Sequence, residues 1–307
     1  MNITGRYIFL RPVLVFCLFL PLAISAPLSA QKIPVYLLEM GGSSDDYALV
    51  VDKKYQELYL YKGSPDGPGL QKKIRCTTGQ NNIGTKNREG DKKTPNGVYF
   101  FRGILEDDRL PTKYGIRAFT IDYPNDFDRL SNKTGYGIWL HAVDEDGRVE
   151  ISYDTEGCIV VTNEDILELS EFIALNSTPI IIDDSLATTS HDKIKDERKE
   201  ILDFVHNWTD AWQNKDIDRY MDCYGERFYS YGRTKPQQRA HKERLNRNYK
   251  TIEVNLSDIR VYSHYDYYVV GFIQEYRSNL FHSKGPKKLY LDKTENGVKI
   301  FAERMNR

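Results

Sequence analysis

The residue pattern changes once along the chain, at residues 183–199, and this change constrains the fold more than any other feature. Before it, apolar residues recur in short runs. Glu57-Leu58-Tyr59-Leu60-Tyr61 alternates as a half-buried strand does, and further β-type runs lie at 46–52, 73–77, 97–101, 118–121, 137–141, 157–161 and 179–182. One stretch, 163–176, repeats Ile166, Leu169 and Ile173 at helical spacing, with Glu164 and Asp165 suited to the positive end of a helix. After the change, Ile201, Phe204, Val205, Trp208 and Trp212 form one helical stripe over about 197–214. Helices at 217–224 and 235–248 follow, then alternating strands at 252–262, 267–277, 287–292 and 298–304. The pattern predicts a mainly β, β-sandwich-like domain with one helix at 31–184, a linker at 185–198, and an α+β domain at 199–307 whose curved sheet wraps its helices.

Residues 1–30 stand apart. Arg6 and Arg11 precede an uncharged apolar run at 13–24, and the small residues Ser25, Ala26, Ser29 and Ala30 follow, as in a secretory signal peptide. The run falls short of the roughly 20 residues that span a bilayer. Phe16 before Cys17 argues against lipoprotein cleavage there. Export with cleavage near Ala30 is expected, an uncleaved anchor being the alternative. After cleavage no transmembrane segment remains.

Lys plus Arg number 43 and Asp plus Glu 44, a balance that excludes the broad basic face of a nucleic-acid binder. Removing the leader leaves Cys76, Cys158 and Cys223, so at least one thiol stays unpaired. Cys76 lies in a strand pattern and Cys223 in an aromatic helical segment, and both read as core. The remaining histidines, His191, His206, His241, His264 and His282, lack metal-ligand spacing. No metal or organic cofactor is expected.

His141 ends one apolar strand, and Cys158 begins another directly after Gly157. A cysteine nucleophile needs a base to take its proton, and that base needs a third group to fix its tautomer. Two strand ends joined by a short connection can bring such side chains to one sheet edge. By itself a Cys and a His 17 positions apart also fits a buried thiol beside a structural histidine.

The surrounding residues favour chemistry. His141-Ala142 followed by Thr155-Glu156-Gly157-Cys158 resembles the catalytic motif of the L,D-transpeptidase (YkuD-type) family. Val50-Val51-Asp52 with Leu58-Tyr59-Leu60-Tyr61 is similar to the family's first hairpin, Thr78-Gly79 to its short strand end, Thr94-Pro95-Asn96-Gly97-Val98-Tyr99 to its T-P-x-G motif, and Asn163-Glu164-Asp165-Ile166 to its following helix start. The resemblance implies a cysteine acyltransferase acting on peptidoglycan tetrapeptide stems. Cys158 would attack the L-to-D peptide bond before the terminal D-alanine, and His141 would act as general base and acid. The Ala142 carbonyl would orient His141, and backbone N–H groups around Gly157 and Cys158 would hold the oxyanion, each such donor being worth about 3 kcal/mol. Thr155 would touch the substrate. The thioester would pass to an amine or to water.

Three residues depart from the family pattern. Ala142 replaces a glycine, Glu156 stands where many members carry His or Arg, and Val160 stands where many carry Arg. Arg117, Lys113 and Arg102 are the candidates to hold a substrate carboxylate in place of that Arg.

Residues 199–304 resemble the NTF2-like fold through Trp208-Thr209-Asp210-Ala211-Trp212, Asp216-Ile217-Asp218-Arg219-Tyr220, Gln274-Glu275-Tyr276 and the closing strand from Val298. Trp208, Trp212, Tyr265 and Tyr268 are candidates to line a pocket for a glycan, with plain core packing as the alternative. A glycan or protein ligand is expected at this domain. The two-domain fusion resembles the cell-shape L,D-carboxypeptidases of helical proteobacteria, which implies trimming of tetrapeptide stems as a rival to crosslinking; the leader points to the periplasm. The rival reading is a non-catalytic periplasmic peptidoglycan- or glycan-binding protein.

Overall fold

The computed structural model describes residues 1, 32–41, 46–106, 110–295 and 297–305; the leader expected at 1–30 lies, apart from Met1, outside the described residues. Two short strands come first, β1 (Lys32–Pro34) and β2 (Leu37–Glu39), followed by β3 (Tyr47–Asp52), β4 (Glu57–Lys62), β5 (Gly69–Arg75), β6 (Gly97–Glu106) and β7 (Arg117–Ile121). A short helix α1 (Asp126–Leu130), β8 (Trp139–His141), β9 (Ile159–Val160), helix α2 (Asn163–Ser170) and β10 (Pro179–Asp183) complete the first half. Its eight strands pair in the order β5-β4-β3-β10-β6-β7-β8-β9. Only β10–β3 and β8–β9 run parallel. Past β5, Thr77 and Val160 exchange backbone hydrogen bonds at 2.9 Å in both directions, so the two ends of the sheet meet and it folds over its own core.

Period-two alternation drives this sheet, with both faces buried. On β3, Leu49 and Val51 enter the core enclosed by the folded sheet, while Ala48 and Val50 face the other way. The same split divides Tyr99 and Phe101 from Val98 and Phe100 on β6. Helix α2 starts where the Thr162 hydroxyl accepts the Asp165 N–H and buries Ile166 and Leu169. It ends at Ser170, short of the expected 176, because Thr178 ties the following turn, accepting from the Ala174 N–H and donating to the Phe172 carbonyl.

The second half contains β11 (Thr188–Ser190), α3 (His191–Gln213), α4 (Ile217–Asp222), β12 (Tyr229–Ser230), β13 (Arg233–Thr234), α5 (Lys235–Asn248) and the long strands β14 (Ile252–His264), β15 (Tyr267–Ser278), β16 (His282–Thr294) and β17 (Gly297–Met305). Much of the stretch expected as a linker, 185–198, is ordered secondary structure: β11 pairs with β1, and α3 begins six residues ahead of the expected 197. Buried Ile194 extends the stripe of Ile201, Val205, Trp208 and Trp212 by two turns, leaving the charges on the solvated side.

The five-stranded sheet runs β17-β16-β15-β14-β2. Thus β2, which precedes the catalytic-type sheet in sequence, is an edge strand of the other one, through Glu39 opposite Val261 and Leu37 opposite Tyr262. One face of this sheet covers α3 and α4. The other presses Tyr262, Tyr267, Val269 and Tyr290 onto Val50, Val98, Phe100 and Ile181 of the first half, an apolar seam between the domains. Across it the Val98 N–H donates to the Tyr267 hydroxyl at 2.8 Å, and Tyr36 and Tyr265 both donate to the Asp183 carboxylate. An interface this apolar holds two domains as one body. Among the described residues no helix is long and apolar enough to cross a membrane.

Candidate active site

The parallel β8–β9 pair sets Leu140 opposite Ile159 and His141 opposite Val160. One residue before β9, Cys158 falls level with Trp139, on the face that His141 also occupies. The two chemistry-bearing residues are therefore diagonal neighbours on one face.

His141 is buried, and its Nδ1 lies 2.5 Å from the Ala142 carbonyl. A carbonyl oxygen only accepts, so Nδ1 carries the hydrogen and Nε2 is left as the basic nitrogen. Burial pushes the imidazole down to about 4; the Ala142 bond pulls it up, and the charges of Arg148 and Lys113 push it further down. The φ of Ala142 is not positive, so this carbonyl role needs no glycine there. Room for its Cβ comes from Gly115. With φ of 65°, Gly115 lies so close that a Cβ on it would sit 2.5 Å from the Ala142 Cβ and 2.6 Å from the Val143 nitrogen. The turn ending at Gly115 also carries Tyr114, whose ring stands edge-on to His141 at 4.9 Å and packs against Trp139 at 5.0 Å. Sequence reasoning missed Tyr114 and Gly115; the turn Pro111-Thr112-Lys113-Tyr114-Gly115 was the only available signal.

Cys158 is half-buried, and its Sγ contacts the Gly137 carbonyl at 3.5 Å. Burial pushes the thiol up to about 11; the Trp139 N–H opposes that rise, Glu156 adds to it, and Lys113 and Lys86 oppose it. At neutral pH the resting pair is thus neutral thiol beside neutral imidazole. Thr155 spends its hydroxyl within the turn, accepting the Gly157 N–H at 3.1 Å and donating to the Cys158 carbonyl at 2.7 Å. The Gly157 N–H, expected as an oxyanion donor, is engaged by that bond. Gly157 instead permits a close backbone approach: its φ is 129°, and a Cβ would lie 2.6 Å from the Lys93 carbonyl oxygen.

The distant motifs converge on this turn. The Thr155 N–H donates to the Thr78 carbonyl and the Gln80 N–H to the Thr155 carbonyl, while the Gly79 N–H donates to the Thr94 hydroxyl. Arg148, held by Asp144 and Asp154, braces the loop between β8 and β9. Val160 is buried with Val143 and Val149. Two candidate carboxylate binders are placed elsewhere. Arg117 lies on the sheet face opposite His141, paired with Glu106 at 2.5 Å. Arg102 lines a cavity of about 310 Å³ on the domain seam with Asp122, Arg129, Lys288 and Arg304.

Cys76 and Cys223 are buried free thiols, both pushed up by burial. In the second domain Trp212 lines a cavity of about 350 Å³ with His241, Tyr249, Tyr276 and Phe281. The other three aromatic candidates do not line it: Trp208 is core and donates to Tyr224, Tyr268 bonds Glu197, and Tyr265 bonds Asp183.

Residues 46–182 match the L,D-transpeptidase catalytic domain family (YkuD), and residues 200–304 match the Cds6 C-terminal NTF2-like domain. The chain is similar to the solved structure of Bd1075 from Bdellovibrio bacteriovorus, at 32% identity over 90% of this chain and 98% of that one, with a TM-score of 0.79. It is also similar to the helical cell shape determining protein Pgp2 from Campylobacter jejuni, at 25% identity over 88% of this chain and 95% of that one, with a TM-score of 0.68. No curated protein sequence matches the chain significantly. With residues 46–182 and 200–304 matched in this way, the chain belongs to the L,D-transpeptidase (YkuD) family and carries a C-terminal NTF2-like domain.

Proposed function

We propose that the protein is a periplasmic, peptidoglycan-modifying cysteine enzyme, an L,D-transpeptidase or L,D-carboxypeptidase acting on tetrapeptide stems. The observation that carries this reading is the tautomer lock: His141 Nδ1 is committed to the Ala142 carbonyl, so Nε2 is the proton acceptor beside Cys158. His141 takes the thiol proton as Cys158 attacks the carbonyl carbon of the L-to-D bond. The Cys158 N–H, at the turn where the Gly157 N–H is already spent, stabilises the oxyanion. The C–N bond then breaks, His141 returns the proton to the leaving D-alanine amine, and an amine or water resolves the thioester. Similarity to a cell-shape determining protein fits a wall substrate.

One observation favours a second reading. A thiol held at about 11 and resting on the Gly137 carbonyl also suits a non-catalytic peptidoglycan-binding protein. Product analysis after incubation with disaccharide-tetrapeptide separates the readings. Released D-alanine gives the carboxypeptidase, crosslinked dimers give the transpeptidase, and substrate that is bound but unchanged gives the binder. Turnover is expected to vanish in Cys158→Ala and in His141→Ala with the fold intact.

A further inference from the structure

Lys113, Lys86 and Arg148 are the cations whose charges bear on the thiol or the imidazole. Arg148 is held by Asp144 and Asp154, and Lys86 by Asp91. Lys113 is exposed and, among the described residues, makes no ion pair. Its Nζ lies 4.9 Å from the centre of the Tyr114 ring, and that ring meets His141 at a further 4.9 Å. Both Cys158 and His141 sense its charge. A cation over an aromatic face is steadied without being neutralised, so it remains able to take an anion.

We infer that Lys113 and Tyr114 form a carboxylate-binding subsite, in which the Lys113 ammonium receives the free C-terminal carboxylate of the peptide that Cys158 attacks. The inference rests on the functional reading above and deepens it by naming the group that recognises the free terminus of the stem. In such a peptide the carboxylate follows the scissile carbonyl by one residue, about 4 Å along the chain, a step the flexible lysine stem covers. The turn is fixed from below, because the Gly115 N–H donates to the Thr112 carbonyl and Gly115 abuts Ala142. The backbone thus fixes the turn, and with it the Tyr114 ring, against His141. A bound carboxylate also offsets the charge that Lys113 imposes on His141, so substrate binding raises the basicity of Nε2.

The test uses the chain from residue 31 carrying Cys158→Ser, titrated calorimetrically with disaccharide-tetrapeptide and with the same compound amidated at its terminal carboxylate. Amidation is expected to weaken binding roughly tenfold, the scale of one charge-assisted hydrogen bond. Adding Lys113→Ala is expected to weaken the acid ligand by the same factor and leave the amide unchanged, with Lys113→Arg keeping the preference. Equal weakening of both ligands by Lys113→Ala, or of neither, overturns the subsite. Equal binding of acid and amide by the Cys158→Ser chain overturns the subsite alone and leaves the peptidoglycan reading standing. Failure of that chain to bind either ligand overturns both.

Discussion

Gly115 and Ala142 occupy each other's space: the carbon missing from one is the carbon present on the other, with no room for a second. This contact fixes the turn carrying Lys113 and Tyr114 against the carbonyl that orients His141. Replacing Gly115 with alanine forces a side chain into the left-handed region and into the Ala142 methyl group. Such strain and overpacking cost about 1–3 kcal/mol each. Gly115→Ala is expected to lower the melting temperature and to reduce D-alanine release. Unchanged melting and turnover would contradict the contact.

The resting thiol is expected to behave as a neutral group. With a pKa near 11, its thiolate fraction rises about tenfold per pH unit through neutrality. Iodoacetamide alkylation of Cys158 should climb steadily from pH 6 to pH 10. A plateau already reached below pH 7 would reveal a preformed thiolate–imidazolium pair in place of the neutral one.

Two buried histidines make the fold acid-sensitive. Burial holds His141 and His264 down to about 4, so between that value and their unfolded value near 6.5 the unfolded chain binds more protons. Their contribution is present in full above pH 6.5 and is lost as pH falls toward 4, about 3 kcal/mol for each group at most. Among the described residues the Nε2 of His264 has no hydrogen-bond partner. His264→Gln is expected to flatten the fall in melting temperature between pH 6.5 and 4, and an unchanged slope would count against this account.

The apolar seam predicts joint unfolding. Phe100 is fully buried against Tyr262, with the Lys288 ammonium over its ring. Truncating it leaves a cavity costing about 3–5 kcal/mol. Phe100→Ala is expected to shift one shared calorimetric transition. Two separate transitions in the parent chain would show that the domains melt independently.

Much of this architecture can be read from local pattern, and the exceptions share a cause. Helix α5 begins at Lys235 as its signals require, with Pro236 in its first turn and the Gln237 side chain accepting the Thr234 N–H. The start of α3 leaves a fainter mark, because Ile194 alone extends its stripe into a charged run. A three-residue strand such as β2 carries no periodicity, so its choice of sheet is decided by what covers Leu37 and Leu38. At the site, Cys158 and His141 stand out through the order of motifs around them. Tyr114 and Gly115 matter only through a backbone approach to Ala142, and such proximity leaves no mark on residue type. The engagement of Arg117 with Glu106 across β6–β7 is equally a matter of register.

Because β2 is drawn from ahead of the catalytic-type sheet to finish the other one, the C-terminal domain is not a detachable module. A fragment cut at residue 199 would lack the strand that covers β14 and would bare the apolar face that meets Val98 and Phe100. Such a fragment presents an unpaired edge and a greasy surface, the conditions for self-association. Grafting this domain onto another protein would have to bring along a tether from the opposite end of the chain.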